Sequence, residues 1–539
     1  MRDINRREFI GGALAGSATL LAPRGVRAAD AKVEILVGEQ LGTVAPEIYS
    51  HFIEHLGGVI YDGVWVGEES KIPNIGGVRT ALVEHLRRIK PAVVRWPGGC
   101  FADQYNWRDG LGPRRERPRR TNFWVSDSTK DSDSPQVYET NHFGTNEFMR
   151  FCKLIGAEPY LAANLRSLPA KEFYEWVEYC NAPANLTTLS RMRAAAGDAA
   201  PFGVKYWGVG NESWACGGNF TPEEYATEFR RFIAWVPRYG LKLNFIAAGP
   251  DAGDWDWTRG FFTKLAEKGE RMFGSLYGFA LHYYAGIDVP RKASTDYDEA
   301  GWYELLAKAD RMESLITEHW AIMGGVDTKH RVKLVVDEWG AWHGRAKEMP
   351  GTYLWAYPGT LRDALISGLT LDTFNRHADK VVMANVAQTV NTIHSLFLAH
   401  EEKFVATPNF HVFEMYSAHG GGKSLRTVFN APDIAANVNA RPAKLWGLQG
   451  SATLHDKQLI LTVVNPHHNQ PREAEVTIRG ASVSSCRSRV LTSTDIHAHN
   501  TFATPRALEP TDGEVKANGS TFIYRFAPAS VTRLSMTLV

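Results

Sequence analysis

No stretch of the sequence approaches the ~20 consecutive apolar residues of a membrane-spanning helix, which argues against membrane integration. Cysteine is scarce. The five residues Cys100, Cys152, Cys180, Cys216 and Cys486 are odd in number and show no paired short spacing, which speaks against a disulfide framework and against a zinc knuckle. Free thiols are the expectation. Net charge is almost absent too: the formal value is +1, and residues 1–28 alone carry five Arg against Asp3 and Glu8, leaving the remainder slightly acidic. Nothing in that balance selects nucleic acid or anionic lipid as a partner. No internal repeat of solenoid period and no low-complexity block interrupts the chain, and the basic run Arg114 to Arg120 reads as a solvated loop.

What is present is length and aromatic content. At 539 residues the chain exceeds the ~250 to 300 at which a single core stops growing, so a large catalytic domain with one accessory domain is the natural reading. Sixteen Trp suit either a large core or a site that stacks flat sugar faces, and composition does not separate the two. The segment Asn5-Arg6-Arg7-Glu8-Phe9-Ile10 resembles a twin-arginine export motif. A Gly- and Ala-rich stretch to Ala22 and a small-residue cleavage site at Val26-Arg27-Ala28 follow it. Residues 1–28 are therefore expected to be a signal peptide, and the protein periplasmic or secreted.

Between residues 46 and 400, short apolar runs of β type alternate with longer stretches of helical period. Eight runs stand out: Ile48 to Ile53, Ala92 to Trp96, Glu158 to Ala162, Val204 to Val209, Leu243 to Ala248, Leu276 to His282, Val332 to Asp337 and Val381 to Val386. Among the helical stretches, Thr221 to Tyr239 opens with Thr221, Pro222 and Glu224, a helix-start signature. Eight strands with interposed helices predict an α/β fold, a (β/α)8 TIM barrel. From residue 401 to 539 the texture becomes strands and turns, as in Lys457 to Val464 and Ser520 to Phe526, which predicts a β-sandwich. The strand-like Lys32 to Val37, within 29–45, is expected to join that sheet.

Catalytic groups of such barrels project from the C-terminal ends of the strands. Two carboxylates meet that condition: Asn211-Glu212 follows the fourth run, and Asp337-Glu338-Trp339 ends the seventh. Two glutamates facing each other across a pocket are what cleavage of a glycosidic bond requires, one protonated to donate to the leaving oxygen and one ionised at the anomeric carbon. Either alone would more readily be a surface or salt-bridged residue. The matched placement beside Asn and Trp reverses that balance.

At these residues the sequence resembles the α-L-arabinofuranosidases of glycoside hydrolase family 51. The likeness is carried by Arg95-Trp96-Pro97-Gly98-Gly99-Cys100-Phe101-Ala102-Asp103, by Tyr105 to Pro113, and by His51 to Gly57. Trp207 to Trp214 and Asp337-Glu338-Trp339 complete it, and it runs from about Glu47 to Phe413. The resemblance implies a retaining, exo-acting enzyme with Glu212 as acid/base, Glu338 as nucleophile and Asn211 holding the sugar 2-hydroxyl. It places Glu54, Arg95, His282, Tyr284 and Gln388 at the arabinose subsite or around the nucleophile, with Trp214 and Trp342 as aromatic walls. Cys100 belongs to the same substrate-binding set but falls where many relatives carry Asn and others Cys, so a polar contact to the sugar is altered there. The implied partner is an arabinose-containing oligo- or polysaccharide, the implied assembly a homo-oligomer of hexamer type, and no metal or cofactor is called for.

Other constellations carry less. His51 and His55 lack the intervening pattern of a metal-binding helix, His467-His468 and His497-Ala498-His499 read as solvated turn residues, and Gly98-Gly99 reads as a tight turn, without the spacing of a phosphate loop. The rival functions are another retaining glycosidase on the same scaffold, such as a β-xylosidase or endoglucanase, a non-catalytic sugar-binding protein, and a metal-dependent barrel hydrolase.

Overall fold

The computed structural model describes residues 29–126, 129–286, 292–344 and 349–539, so the expected export segment lies outside the described residues. A long strand, β1 (Ala31–Thr43), precedes eight parallel strands that close into a barrel. These are β2 (Ser50–Phe52), β3 (Val93–Trp96), β4 (Glu158–Ala163), β5 (Tyr206–Val209), β6 (Asn244–Ala247), β7 (Leu276–Ala285), β8 (Lys333–Ala341) and β9 (Val381–Val386). Each pairs with its successor, and β9 returns to β2 through Asn385 and Ser50. All eight apolar runs are barrel strands, because a parallel strand under helices is buried on both faces and reads as a continuous apolar run. One residue from each of seven strands fills the barrel interior: Val93, Tyr160, Tyr206, Ile246, Ala280, Val335 and Met383. The helix Pro222–Ile233 starts as its sequence announces. Thr221 Oγ1 accepts from the Glu224 N–H at 3.3 Å while Glu224 Oε2 accepts from the Thr221 N–H at 2.8 Å.

Strand β1 pairs antiparallel with Lys423–Asn430 and parallel with Arg472–Arg479, inside a nine-stranded sheet otherwise built from residues 423–538. The two edges of that sheet, Thr511–Val515 and Thr521–Phe526, are joined by residues 516–520 alone. A flat sheet of this width would hold its edges ~38 Å apart, beyond the ~20 Å such a linker spans. The sheet therefore curls into a sandwich around Val33, Leu461, Val476, Phe522, Leu534 and Met536. Where the sequence pattern from residue 401 suggests strands alone, a hairpin (Phe397–His400 with Lys403–Ala406) and a helix (Pro408–Tyr416) stand before the sheet.

The helix Leu361–Arg376 is buried almost along its whole length, between barrel and sheet. Its Asp372 accepts from Ser451 and Thr462 of the sheet at 2.6 and 2.5 Å and from Tyr416 at 2.8 Å. Two surface readings change at this level. Arg117 of the basic run is buried against Glu147 and Arg114 lies over the Trp65 ring, so these two are pinned, while Arg115, Arg119 and Arg120 are exposed as a solvated loop requires. The histidine turns dock on the barrel: His468 Nδ1 meets Tyr303 at 2.8 Å, and His497 Nε2 meets the Tyr297 carbonyl at 2.7 Å.

Candidate active site

Four strand ends converge at the mouth of the barrel. β3 delivers Arg95, the turn after β5 delivers Asn211 and Glu212, β7 delivers His282 and Tyr284, and β8 delivers Asp337 and Glu338. His282 and Glu338 are register partners on β7 and β8, so adjacent strands set them side by side. Arg95 Nη1 donates to Glu338 Oε1 at 2.8 Å and Nη2 to Asn211 Oδ1 at 2.6 Å, and the guanidinium lies 3.3 Å from Asp337. Asp337 is itself held by Tyr160 and Asn385, at 2.9 and 2.8 Å. Tyr284 donates to Glu338 Oε2 at 2.7 Å. His282 Nδ1 stands 3.0 Å from Glu212 Oε1 and 3.5 Å from Glu338 Oε2. Within this triad of Glu212, His282 and Glu338, one atom from each lies within 4.8 Å of the others.

The two glutamates differ in how they hold a proton. Burial is the largest influence on Glu212 and raises it above the ordinary carboxyl value; the His282 bond opposes this and the charge of Glu338 adds to it. Burial acts upward on Glu338 as well, but His282, Arg95 and the bonds from Arg95 and Tyr284 outweigh it and hold that carboxyl below its ordinary value. One group is thus biased to be acid and its neighbour to be carboxylate.

Glu54 and Gln388 sit beside them. Glu54 accepts from the Phe101 N–H (3.0 Å), Trp124 Nε1 (3.1 Å) and Gln388 Nε2 (3.2 Å), and Gln388 Oε1 accepts from the Glu54 N–H at 2.9 Å. Burial, then the charge of Glu338, push Glu54 up to about 7. Gly98-Gly99 has a reason beyond the turn: a Cβ at Gly99 would lie 3.0 Å from Glu338 Oε1 and 3.3 Å from Glu54 Oε2. Edge-to-face contacts link Tyr284, Trp342, Trp355 and Trp124 into one aromatic wall. Trp214 is apart from that wall, half-buried against the barrel core. Trp124, Trp355, Asp103 and Cys216 were not singled out from sequence. Trp124 and Trp355 come from irregular loops, where no period marks a residue. Asp103 and Cys216 do lie in or beside the family-like motifs, and that adjacency was the signal available.

The expectation of five free thiols is corrected. Cys152, Cys180 and Cys486 are free and buried, but Cys100 and Cys216 form a disulfide across 116 residues of sequence, with Cα atoms 5.6 Å apart. Cys100 follows β3 and Cys216 follows β5, and the pairing of both strands with β4 brings those loops together. Cys100, Glu212 and Cys216 also form a cluster of ligand-type groups. With the sulfurs joined, no thiolate is there to bind a metal. In the Glu212, His282 and Glu338 cluster both carboxylates are already engaged within the protein. His51 and His55 do not converge on a shared site either: His55 is bonded to Glu139 and Trp96 through its two ring nitrogens, and His51 packs on Phe413.

Comparison with known proteins identifies the architecture. Residues 85–301 match the family model "Alpha-L-arabinofuranosidase 1 domain", and residues 337–530 match "Alpha-L-arabinofuranosidase C-terminal domain". The intracellular exo-α-L-arabinofuranosidase of Bacteroides ovatus is 33% identical over 92% of this chain and 93% of its own length. The chain belongs to the α-L-arabinofuranosidases of glycoside hydrolase family 51. The crystal structure of the family 51 enzyme from Xanthomonas axonopodis pv. citri superposes with a TM-score of 0.86 at 35% identity, covering 94% of this chain and all of the other. The intracellular exo-α-(1→5)-L-arabinofuranosidase 1 of Bacillus subtilis is 27% identical over 93% of this chain and 98% of its own. The chain is accordingly a glycoside hydrolase with arabinofuranosidase activity. The expected periplasmic or secreted location is corrected by the same relatives, since the enzymes from Bacteroides ovatus and Bacillus subtilis are both named intracellular.

Proposed function

We propose that this enzyme removes terminal α-L-arabinofuranosyl residues from arabinan- or arabinoxylan-derived saccharides by double displacement. Glu338 attacks the anomeric carbon as Glu212 gives its proton to the departing glycosidic oxygen, so one C–O bond forms as the other breaks. Glu212, now a carboxylate, takes a proton from water, whose oxygen attacks the same carbon and releases Glu338. What carries this reading is the pairing of Glu212, its carboxyl raised by burial, with Glu338, held low by His282, Arg95 and Tyr284, one oxygen of each lying within 4.8 Å of the other. Retaining pairs stand ~5 to 5.5 Å apart and inverting pairs ~6.5 to 9.5 Å, the latter leaving room for a water.

Asn211 holds the sugar 2-hydroxyl, oriented for it by Arg95 on its carbonyl side. Arg95, His282 and Tyr284 orient and ionise the nucleophile, while Glu54 and Gln388 bind the sugar ring hydroxyls. Trp342 forms the aromatic wall, and Trp214 flanks the acid/base turn. The exo mode is supported by the printed names of the Bacteroides ovatus and Bacillus subtilis relatives. Proton NMR of the first-formed arabinose, read before mutarotation, tests the mechanism. An α product is expected, and an initial β product would remove Glu338 as nucleophile. The hexamer implied by family resemblance is tested by sedimentation, where a monomeric species would remove it.

A further inference from the structure

The reaction as derived leaves the Cys100–Cys216 disulfide without a role, yet the disulfide touches the acid/base. The two oxygens of Glu212 have unlike neighbours. Oε1 meets His282 Nδ1 at 3.0 Å, whereas Oε2 faces the sulfurs of Cys100 and Cys216 at 3.7 and 3.6 Å. Disulfide sulfurs carry no hydrogen, so these two contacts are not hydrogen bonds; they cover Oε2 with a polarisable, proton-free surface. A thiol at either position is a donor, though a weak one. A hydrogen bond donated to a carboxylate favours its ionised form.

We propose that Cys100 and Cys216 are positioning residues whose oxidation state sets how firmly Glu212 holds its proton. Joined, they withhold donors from Oε2 and favour the acid that glycosidic cleavage needs. Reduced, they donate to Oε2 and favour the carboxylate. The step consumes one dithiol: the S–S bond breaks, two electrons and two protons arrive, and the dithiol leaves as its own disulfide. The inference rests on the assignment of Glu212 as acid/base.

Other groups that face Glu212 are His282 from β7, Glu338 from β8 and Asp251 from the loop after β6. Arg95 from β3 acts through Asn211 and Glu338, Asp103 accepts the Asn211 N–H at 3.1 Å, and Tyr284 and Glu54 adjoin Glu338. Reduction changes the formal charge of none of them. The turn also has tethers other than the disulfide. The N–H groups of Ala215 and Gly217 donate to the Glu212 carbonyl at 2.8 and 3.1 Å, and that of Phe220 donates to Ser213 at 2.8 Å. A Cβ at Gly217 would fall 1.7 Å from the Asn211 carbonyl oxygen, so this turn is closely folded on itself. Reduction is thus expected to alter the donors around Oε2 and leave the turn in place.

The test is the pH profile of kcat/KM on an aryl α-L-arabinofuranoside with a poor leaving group. It is measured for the oxidised enzyme and after treatment with a dithiol, with two additional thiols per chain verified by titration. The alkaline limb should move down by about half to one pH unit on reduction, a ~3- to 10-fold loss on that side and none on the acid side, restored by reoxidation. The double variant Cys100→Ser, Cys216→Ser supplies two hydroxyl donors and should sit at or below the reduced limb whatever the redox state. An unmoved limb, or a loss equal at every pH, overturns the proposal, the latter meaning that the disulfide only stiffens the loop. If the native bond resists the dithiol, the Ser variant decides alone, and a limb matching the oxidised enzyme overturns it. The limb should vanish in Glu212→Ala. Persistence there would mean that the acid/base assignment has failed, which is a different result from a Glu212 limb that does not move.

Discussion

Glu212 and Glu338 are the same amino acid in one pocket, and their neighbours make them opposites. Arg95 and Tyr284 donate to Glu338, while Glu212 has His282 on one oxygen and a disulfide on the other. The proposed roles predict different losses. Glu338→Ala should lower turnover by a factor on the order of 10⁴ or more on every substrate, because no group is left to form the covalent intermediate. Glu212→Ala should cost ~10²- to 10⁴-fold in kcat/KM for poor leaving groups and little for dinitrophenyl arabinofuranoside, which departs without protonation. Azide separates the two: the Glu338 variant should give β-arabinofuranosyl azide and the Glu212 variant the α anomer. The reverse pattern of azides would exchange the roles.

At the scale of elements, sequence legibility followed burial. The eight barrel strands were readable because the runs that form them are short, predominantly apolar and buried, and the helix Pro222–Ile233 because its cap is local chemistry within four residues. Removing that cap with Thr221→Ala should destabilise the protein by about 1 kcal/mol. Calorimetry should register a small drop in Tm with kcat/KM unchanged; an unchanged Tm would mean that Glu224 and Pro222 suffice. Contacts between strands and loops distant in sequence were not readable. Cys100 and Cys216 are separated by 116 residues and meet only when β3 and β5 both pair with β4. Trp124 and Trp355 reach the wall from loops, and Glu338 with its Arg95 neighbour was readable while the support of Arg95 by Asp337 and Tyr160 was not. The helix Pro408–Tyr416 was missed because it is buried nearly all round, so it lacks the amphipathic period that marks a surface helix.

For the molecule as a whole, the barrel and sheet are joined through a buried polar junction containing two titratable groups with opposite tendencies. His419 bonds Thr453 and Thr462 at 2.8 and 3.0 Å, and burial brings it down to about 3. Asp372 bonds the same Thr462, and burial pushes it up to about 7. For His419 the folded value lies below the unfolded one of ~6.5, so its stabilising contribution is present above pH ~6.5 and is lost as pH falls toward 3. For Asp372 the folded value lies above the unfolded one of ~3.9, so its contribution is present below pH ~4 and is lost as pH rises toward 7. Between pH ~4 and ~6.5 the two slopes cancel in the parent enzyme, each amounting to about 3 kcal/mol over that window. Single variants should expose them. Relative to the parent, Asp372→Asn should be more destabilised at pH 4 than at pH 6.5, and His419→Asn less destabilised at pH 4 than at pH 6.5. Other titrating groups are common to parent and variant, so the difference in Tm isolates the junction. Calorimetry across that range should give difference curves of opposite slope, and two curves of the same sign, or two flat ones, would mean that the junction does not couple to protons as its burial implies.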